Sequence, residues 1–436
     1  MTYKQALAYL HSLERFGIKL GLSNIKRLLE ILGNPQVKFK SIHIAGTNGK
    51  GSTTAFISSI LKEAGFKVGR YTSPHLTNFR ERIAINGSQI PEEKVVELLA
   101  KIKSQIKKIF ADSEFGHPTF FEVLTAMALT YFFEEKVDFA VLEVGLGGRL
   151  DATNVVEPLV SVITNSDYDH MDILGSEIDS IAREDAGIIK KNGLVITAAK
   201  GEALAVIEKV CQRCNARLFQ VGRDIKCEFL ESDLENQSFG VKGIFSEFKN
   251  LKISLLGKYQ LINACCALGA IELLKFHNIL LSDENARSGL ATTRWPGRLE
   301  IVRHAPLVIL DGAHNHPAAE QLKGALLEFL SCPLAYGRKE RLILVIGILK
   351  DKEVEKIVKE LVPLASKVVV TAPKTSRATL PEDLCKVAVK YNQNVITVGD
   401  VEEAVRESLN EAGGNDIICI TGSLYTVGEA RQFLMG

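Results

Sequence analysis

Residues 42–53 read Ile-His-Ile-Ala-Gly46-Thr47-Asn48-Gly49-Lys50-Gly51-Ser52-Thr53. An apolar run that enters a glycine-rich turn and then a helix aims backbone N–H groups and the helix N-terminus at an anion. Lys50 adds a point charge for the β- and γ-phosphates, and Ser52 or Thr53 offers a hydroxyl to Mg2+. ATP binding is the direct reading. The spacing departs from the common phosphate loop, because Ile44 stands where a glycine is usual and Gly51 separates Lys50 from Ser52. A turn that merely began a helix would need neither the lysine nor the consecutive hydroxyls.

A second glycine cluster, Gly145-Leu146-Gly147-Gly148-Arg149, superficially suggests a dinucleotide fingerprint. Leu150 occupies the place of its last glycine and no helix pattern follows, which argues for a tight turn at a strand's end instead of an NAD site. Glu143 lies just before that turn, within the apolar run 139–144, as a strand-end carboxylate.

These groups need a scaffold, and the alternation of β-branched runs with amphipathic segments predicts parallel strands joined by crossover helices. Strands are expected at 41–45, 67–72, 139–144, 160–164 and 194–197, with helices at 52–64, 92–110, 119–135 and 179–189. From 217 to 255 the pattern shortens and no helix intervenes, so a small antiparallel satellite is expected there. A long apolar helix follows at 259–276, and Trp295, Pro296 and Gly297 form the expected interdomain break. Buried-strand runs resume at 307–310, 342–346, 368–371, 395–398 and 417–420. The expected fold class is α/β: an N-terminal phosphate-loop mononucleotide-binding domain, 1–296, with the satellite, and a smaller Rossmann-like α/β domain, 297–436.

Bulk composition narrows function mainly by exclusion. The formal net charge of +1 gives no general attraction for nucleic acid or an anionic membrane. The N-terminal twenty residues interrupt Leu7, Leu10 and Leu13 with Lys4, His11 and Glu14, unlike a signal peptide, so a soluble cytoplasmic protein is expected. The eight cysteines are dispersed without a second pair at zinc-ligand spacing, and reduced thiols are expected.

Beyond the GTNGKGS loop, LERFGIKLGL (13–22), YTSPHL (71–76), ERIAING (81–87), TFFEVLTAMAL (119–129), LEVGLGGRLDATN (142–154), SDYDHMDILG (166–175), GKYQLINA (257–264), WPGRLE (295–300), LDGAHN (310–315) and ITGSLY (420–425) occur in that order. Together they resemble the folylpolyglutamate synthase and dihydrofolate synthase family of the Mur ligase superfamily, across essentially the whole chain. Only about forty residues precede the loop, too few for the separate nucleotide-sugar domain of muramyl ligases.

The resemblance implies ATP-dependent ligation of L-glutamate to a reduced folate, either alone or together with dihydropteroate ligation, through an acyl phosphate. It implies two Mg2+ ions, one between Ser73, Glu143 and the phosphates, the other using His170 and sharing Glu143; Ser52 joins as a loop ligand. Gln260, Asn263, Arg298, Asp311 and His314 match nucleotide-side motifs, the last three from beyond the hinge. Phe79, Arg82, Thr119 and Phe120 match the folate pocket. A monomer is expected. Read without the resemblance, His170 is a loop histidine between acids, Gln260 and Asn263 are helix-end polar groups, and both phenylalanines are core residues.

In one place the chain leaves its family. Homologous ligases read EKAGI where this sequence reads Glu184-Asp185-Ala-Gly-Ile, and their lysine is carbamylated so that its carboxylate approaches the second Mg2+. Asp185 is already an acid but falls short by roughly 5 Å in reach. Two expectations stand: Asp185 supports the metal through water, or it is an exposed helix acid. At the level of function, another amide ligase and a regulatory ATP-binding switch are the alternatives to folate ligation.

Overall fold

The computed structural model describes residues 1–17, 19, 21–109, 116–169, 171–175, 177–331 and 341–436. His170 therefore lies outside the described residues, as does residue 110 at the end of the helix expected over 92–110.

The apolar runs pair as buried strands. In the N-terminal sheet these are β1 (Lys40–Ala45), β2 (Val68–Tyr71), β3 (Ile83–Ile85), β4 (Ser88–Gln89), β5 (Phe139–Glu143), β6 (Val160–Ile163), β7 (Leu194–Thr197) and β8 (Arg217–Gln220). Their order is β4-β3-β2-β5-β1-β6-β7-β8, parallel from β2 to β8, with β3 and β4 antiparallel at one edge. Consecutive side chains on a strand face opposite ways, so both faces need cover. On β5, Phe139 and Val141 enter one core and Ala140 and Leu142 the other.

One expectation is corrected here. Residues 217–220 are not part of the satellite; they form β8, parallel to β7 after the crossover helix Gly201–Cys214. Arg217 and Gln220 at its ends made this half-exposed edge strand read as part of the polar segment beyond it. The satellite proper is β9 (Lys226–Ser232), β10 (Gln237–Lys242) and β11 (Glu247–Ile253), all antiparallel. The long helix also differs, running Tyr259–Leu273 and finishing as a tighter 3-10 turn at Leu274–His277.

Beyond Gly297, β12 (Glu300–His304), β13 (Leu307–Leu310), β14 (Leu342–Ile346), β15 (Lys367–Val370), β16 (Val395–Thr397) and β17 (Ile417–Thr421) form a second sheet. Its order is β12-β13-β17-β14-β15-β16, parallel except for β12. Edge strands β4 and β12, and β3 beside β4, are too short or too polar at their ends to announce themselves by pattern. Leu76, from the N-terminal half, packs into the core of the second sheet beside Val427. A Cβ on Gly428 would stand 2.1 Å from the Leu76 carbonyl, so the two halves meet backbone to backbone there.

No helix among the described residues is long and apolar enough to cross a membrane. The described cysteines are free thiols.

Candidate active site

Parallel α/β sheets present ligands beyond the carboxyl ends of their strands, and three such ends converge here. The phosphate loop leaves β1, Glu143 ends β5, and the segment 164–169 follows β6. They border a cavity of about 980 Å³ whose far wall comes from the second sheet.

Gly49 precedes the helix Lys50–Glu63 at φ 85°, a left-handed conformation that glycine adopts without strain. The loop's departure from the common pattern has a local cause at Gly51, where a Cβ would come within 3.0 Å of the Trp295 ring. Trp295 in turn lies under the Arg70 guanidinium, 4.9 Å from its carbon. Trp295 thus rests on the loop, and a side chain at Gly51 would press on its ring.

Lys50 Nζ donates to the carbonyls of Gly46 at 2.6 Å and Thr47 at 2.9 Å, folded back over the turn. Thr47 and Asn48 are tied to the β6 side: Thr47 Oγ1 donates to the Asp167 carbonyl and the Asn48 N–H to Asn165 Oδ1. Ser52 lines the cavity, whereas Thr53, fully buried with its hydroxyl unpartnered, does not. Of the two candidate hydroxyls, the structure brings Ser52 to the site.

Two buried carboxylates face this loop. Glu143 accepts the Ser73 N–H at 3.2 Å, and burial pushes its carboxyl up to about 7 against the pull of Lys50. Asp185 accepts Ser166 Oγ at 2.6 Å, and burial drives it likewise up to about 7. Its exposure is 2%, which excludes the exposed helix acid as a reading. Both carboxylates are oxygen donors of the kind that hard divalent cations take.

From the second half come Arg298, Asp311 and His314, all lining the cavity. Asp311 is spent on the hinge: its oxygens accept the N–H groups of Leu299 and Ala313, both at 2.9 Å, and Tyr259 Oη at 3.3 Å. It fixes Leu299 at a left-handed φ of 46° and so sets where Arg298 points. Gln260 and Asn263 also line the cavity; Asn263 Nδ2 donates to Gln260 Oε1, leaving Gln260 Nε2 buried without a partner.

Next to this space lies a second cavity of about 350 Å³, sharing Ser73, Pro74, Gly145, Leu146, His314 and Leu424 as common wall. Phe120 and Arg82 line it, with the guanidinium carbon 5.6 Å from the ring centre. Arg82 is 9% exposed and donates through Nε to His75 Nδ1 at 2.8 Å. Burial and Arg82 itself hold His75 down to about 4, so the imidazole remains a neutral acceptor. Thr119 is in the wall, but its hydroxyl caps the helix Phe120–Glu134 reciprocally with Glu122. Phe79 lines neither cavity; it packs in the core with Tyr71 and stands edge-on to His75.

The Gly145–Gly148 turn is no pyrophosphate cradle, because Asp151 Oδ2 takes the N–H groups of Gly145 and Leu146. Asp151 and Lys352 belong to the cavity wall and escaped sequence reasoning. The first sits inside the quoted LEVGLGGRLDATN motif, whereas Lys352 carried no motif signal.

A phosphate loop on one α/β sheet, closed by a second α/β sheet across a hinge, defines a two-domain ligase of the Mur type. The chain matches the Mur ligase middle domain over 44–271 and the Mur ligase glutamate ligase domain over 297–424. It is 40% identical over 437 residues to the dihydrofolate synthase/folylpolyglutamate synthase of Bacillus subtilis, covering 99% of each chain. It superposes on Mycobacterium tuberculosis folylpolyglutamate synthase complexed with ADP at a TM-score of 0.90, with 32% identity and 99% of each chain covered. Escherichia coli FolC in complex with DHPP and ADP gives 0.87, 31% identity, and coverage of 99% of this chain and 97% of that one. The chain belongs to the folylpolyglutamate synthase and dihydrofolate synthase family, and it is an ATP-dependent ligase of folate metabolism.

Proposed function

We propose that the chain joins L-glutamate to a folate carboxylate through an acyl phosphate, with the larger cavity taking ATP and the smaller one the folate. The supporting observation is the shared wall between a phosphate-loop cavity and an aromatic, arginine-bearing one. An acceptor carboxylate placed at that wall meets the γ-phosphate end of a nucleotide on the loop. The solved relatives with ADP, and with DHPP and ADP, support the same pairing.

A carboxylate resists attack by an amine until it is activated, so the γ-phosphoryl of ATP passes first to the folate carboxylate and ADP departs. The glutamate amine then attacks the acyl carbon, forming the amide, losing a proton and expelling phosphate. Such chemistry is catalysed chiefly by positioning and charge neutralisation. Residues 46–52 cradle the phosphates, Lys50 leaves its two carbonyl partners to meet them, and Arg298 approaches from the other domain. Gln260 Nε2 is the donor awaiting a nucleotide acceptor. Ser52, Ser73, Glu143 and His170 would hold Mg2+, which would supply charge neutralisation for the phosphates. Asp185 would support the second ion through water, with no need of bicarbonate. Phe120 stacks on the pterin ring and Arg82 holds an acidic group of the folate. Phe79 takes no part.

The enzyme acts in the cytoplasm as a monomer, divided near residue 297, where the second matched domain begins. Phosphate release measured with ATP and Mg2+ tests the reading. Release that requires both folate and glutamate supports the ligase, and steady hydrolysis without them would make the protein a nucleotide switch. A panel of dihydropteroate, tetrahydrofolate and methylene-tetrahydrofolate then separates one activity from two.

A further inference from the structure

The segment after β6 reaches across to the second sheet. Asp169, with 8% of its side chain exposed, holds Lys352 Nζ at 2.5 Å on one oxygen and Asn315 Nδ2 at 2.9 Å on the other. His314 Nε2 stands 3.6 Å from that second oxygen. Asn315 also faces Asn48 of the phosphate loop in a reciprocal amide pair, each Nδ2 donating to the other's Oδ1 at 3.1 Å. The loop backbone at Asn48 is fixed separately, its N–H donating to Asn165 and its carbonyl accepting Thr164 Oγ1. The side chain of Asn48 is therefore the part of the loop held from the other domain.

We infer that Asn315, Asp169 and Lys352 form an interdomain clasp through which the second domain positions Asn48, so that the loop reaches its transferring geometry only while the domains are docked. This rests on the proposed role of the loop in binding ATP. A buried ion pair fixes geometry better than it adds stability, because desolvation consumes most of the attraction. Removing either partner leaves the other charge buried without its nearest counter-ion. The clasp thus favours one domain register, and it ties that register to the phosphate loop. The backbone cradle survives its loss, so nucleotide affinity persists while turnover falls.

Asn315 has a second task, since its Oδ1 accepts the Ala318 N–H and caps the helix His316–Ser331. Asn315→Asp keeps that capping acceptor while removing the amide donor and facing Asp169 with a like charge. It separates clasp from cap. The full chain, Asn315→Asp, Lys352→Met and the double variant are compared by thermal melting, steady-state kinetics and Trp295 fluorescence. Trp295 is the single tryptophan and lies against Gly51, so it reports on the loop without needing turnover. In each single variant kcat is expected to fall about tenfold or more with the ATP KM within about threefold. The double variant falls no further than the worse single, as residues in one network do. The amplitude of the Trp295 response to ATP shrinks in the same variants, while its midpoint holds. Parent-like kcat and fluorescence amplitude in Asn315→Asp would overturn the clasp and leave Asn315 a helix cap. If the parent shows no ligation, the functional reading fails, and the fluorescence arm still decides the clasp.

Discussion

The two adjoining cavities are built in opposite ways. The larger cavity, proposed for the nucleotide, takes its floor from seven consecutive residues, 46–52, with Glu143 and Asp185 brought up beside them. The smaller cavity, proposed for the acceptor, draws its lining from Gly17 to Tyr425 and from both domains, and its character comes from side chains such as Phe120 and Arg82. A phosphate site is a local conformation, so it survives as a contiguous motif; a pocket for a flat aromatic acceptor is made by tertiary packing. Substitutions at the first should damage chemistry, and substitutions at the second should damage acceptor affinity.

The largest effect is expected at Lys50. Lys50→Ala should fold normally and lose ligation by about a thousandfold or more, since the charge facing the transferring phosphoryl is gone. Near-normal turnover in a folded Lys50→Ala protein would remove the loop from the reaction.

Asp185→Ala should come next, lowering turnover about ten- to a hundredfold and raising the Mg2+ concentration needed for half-maximal rate. The parent should show no stimulation by added bicarbonate. An unchanged Mg2+ dependence would take Asp185 out of the site, and bicarbonate stimulation of the parent would mean that a lysine elsewhere carries a carbamate.

Phe120→Ala sharpens the contrast from the other side. The folate KM should rise about tenfold, the loss of one aromatic contact, with the ATP KM unmoved. Phe79→Ala should lower the melting temperature and leave the folate KM unchanged in whatever protein remains folded, because Phe79 fills the core. Equal effects of the two on folate KM would contradict this assignment.

The smallest effect concerns a buried histidine behind the smaller cavity. His43, on β1, donates through Nε2 to Thr153 Oγ1, which donates to Asp151 of the acceptor cavity. Its Nδ1 is buried without a partner, and burial lowers its pKa from 6.5 to about 3. The unfolded chain therefore binds more protons between these values. The stabilisation is full above pH 6.5 and is lost as the pH falls toward 3. The melting temperature of the parent should drop more steeply on acidification than that of His43→Gln; equal slopes would show that other groups govern acid stability.

Much of this was legible in sequence where chemistry and chain are contiguous. The GTNGKGS turn, the strand ending at Glu143 and the break at Trp295 each carry a local signature, and parallel strands buried on both faces declare themselves as apolar runs. What stayed hidden depends on contacts distant in sequence. Lys352 is one of many lysines until Asp169 is brought to it across the hinge. Phe79 and Phe120 are alike by type and differ only in which way the fold turns them. Arg217–Gln220 read as satellite because an edge strand shares the polarity of a small antiparallel sheet. Asp185 showed as a departure from a family pattern, but its burial against Ser166 could come only from the packing of the helix Ile178–Ala186.

The acyl phosphate is the central claim, and oxygen tracing tests it most directly. Folate labelled with oxygen-18 in its terminal side-chain carboxylate is turned over with ATP, Mg2+ and unlabelled glutamate, and the released phosphate is analysed by mass spectrometry. One labelled oxygen per phosphate, matched by one new glutamyl amide, is the expected result. Unlabelled phosphate alongside amide formation would contradict activation of the carboxylate by phosphoryl transfer.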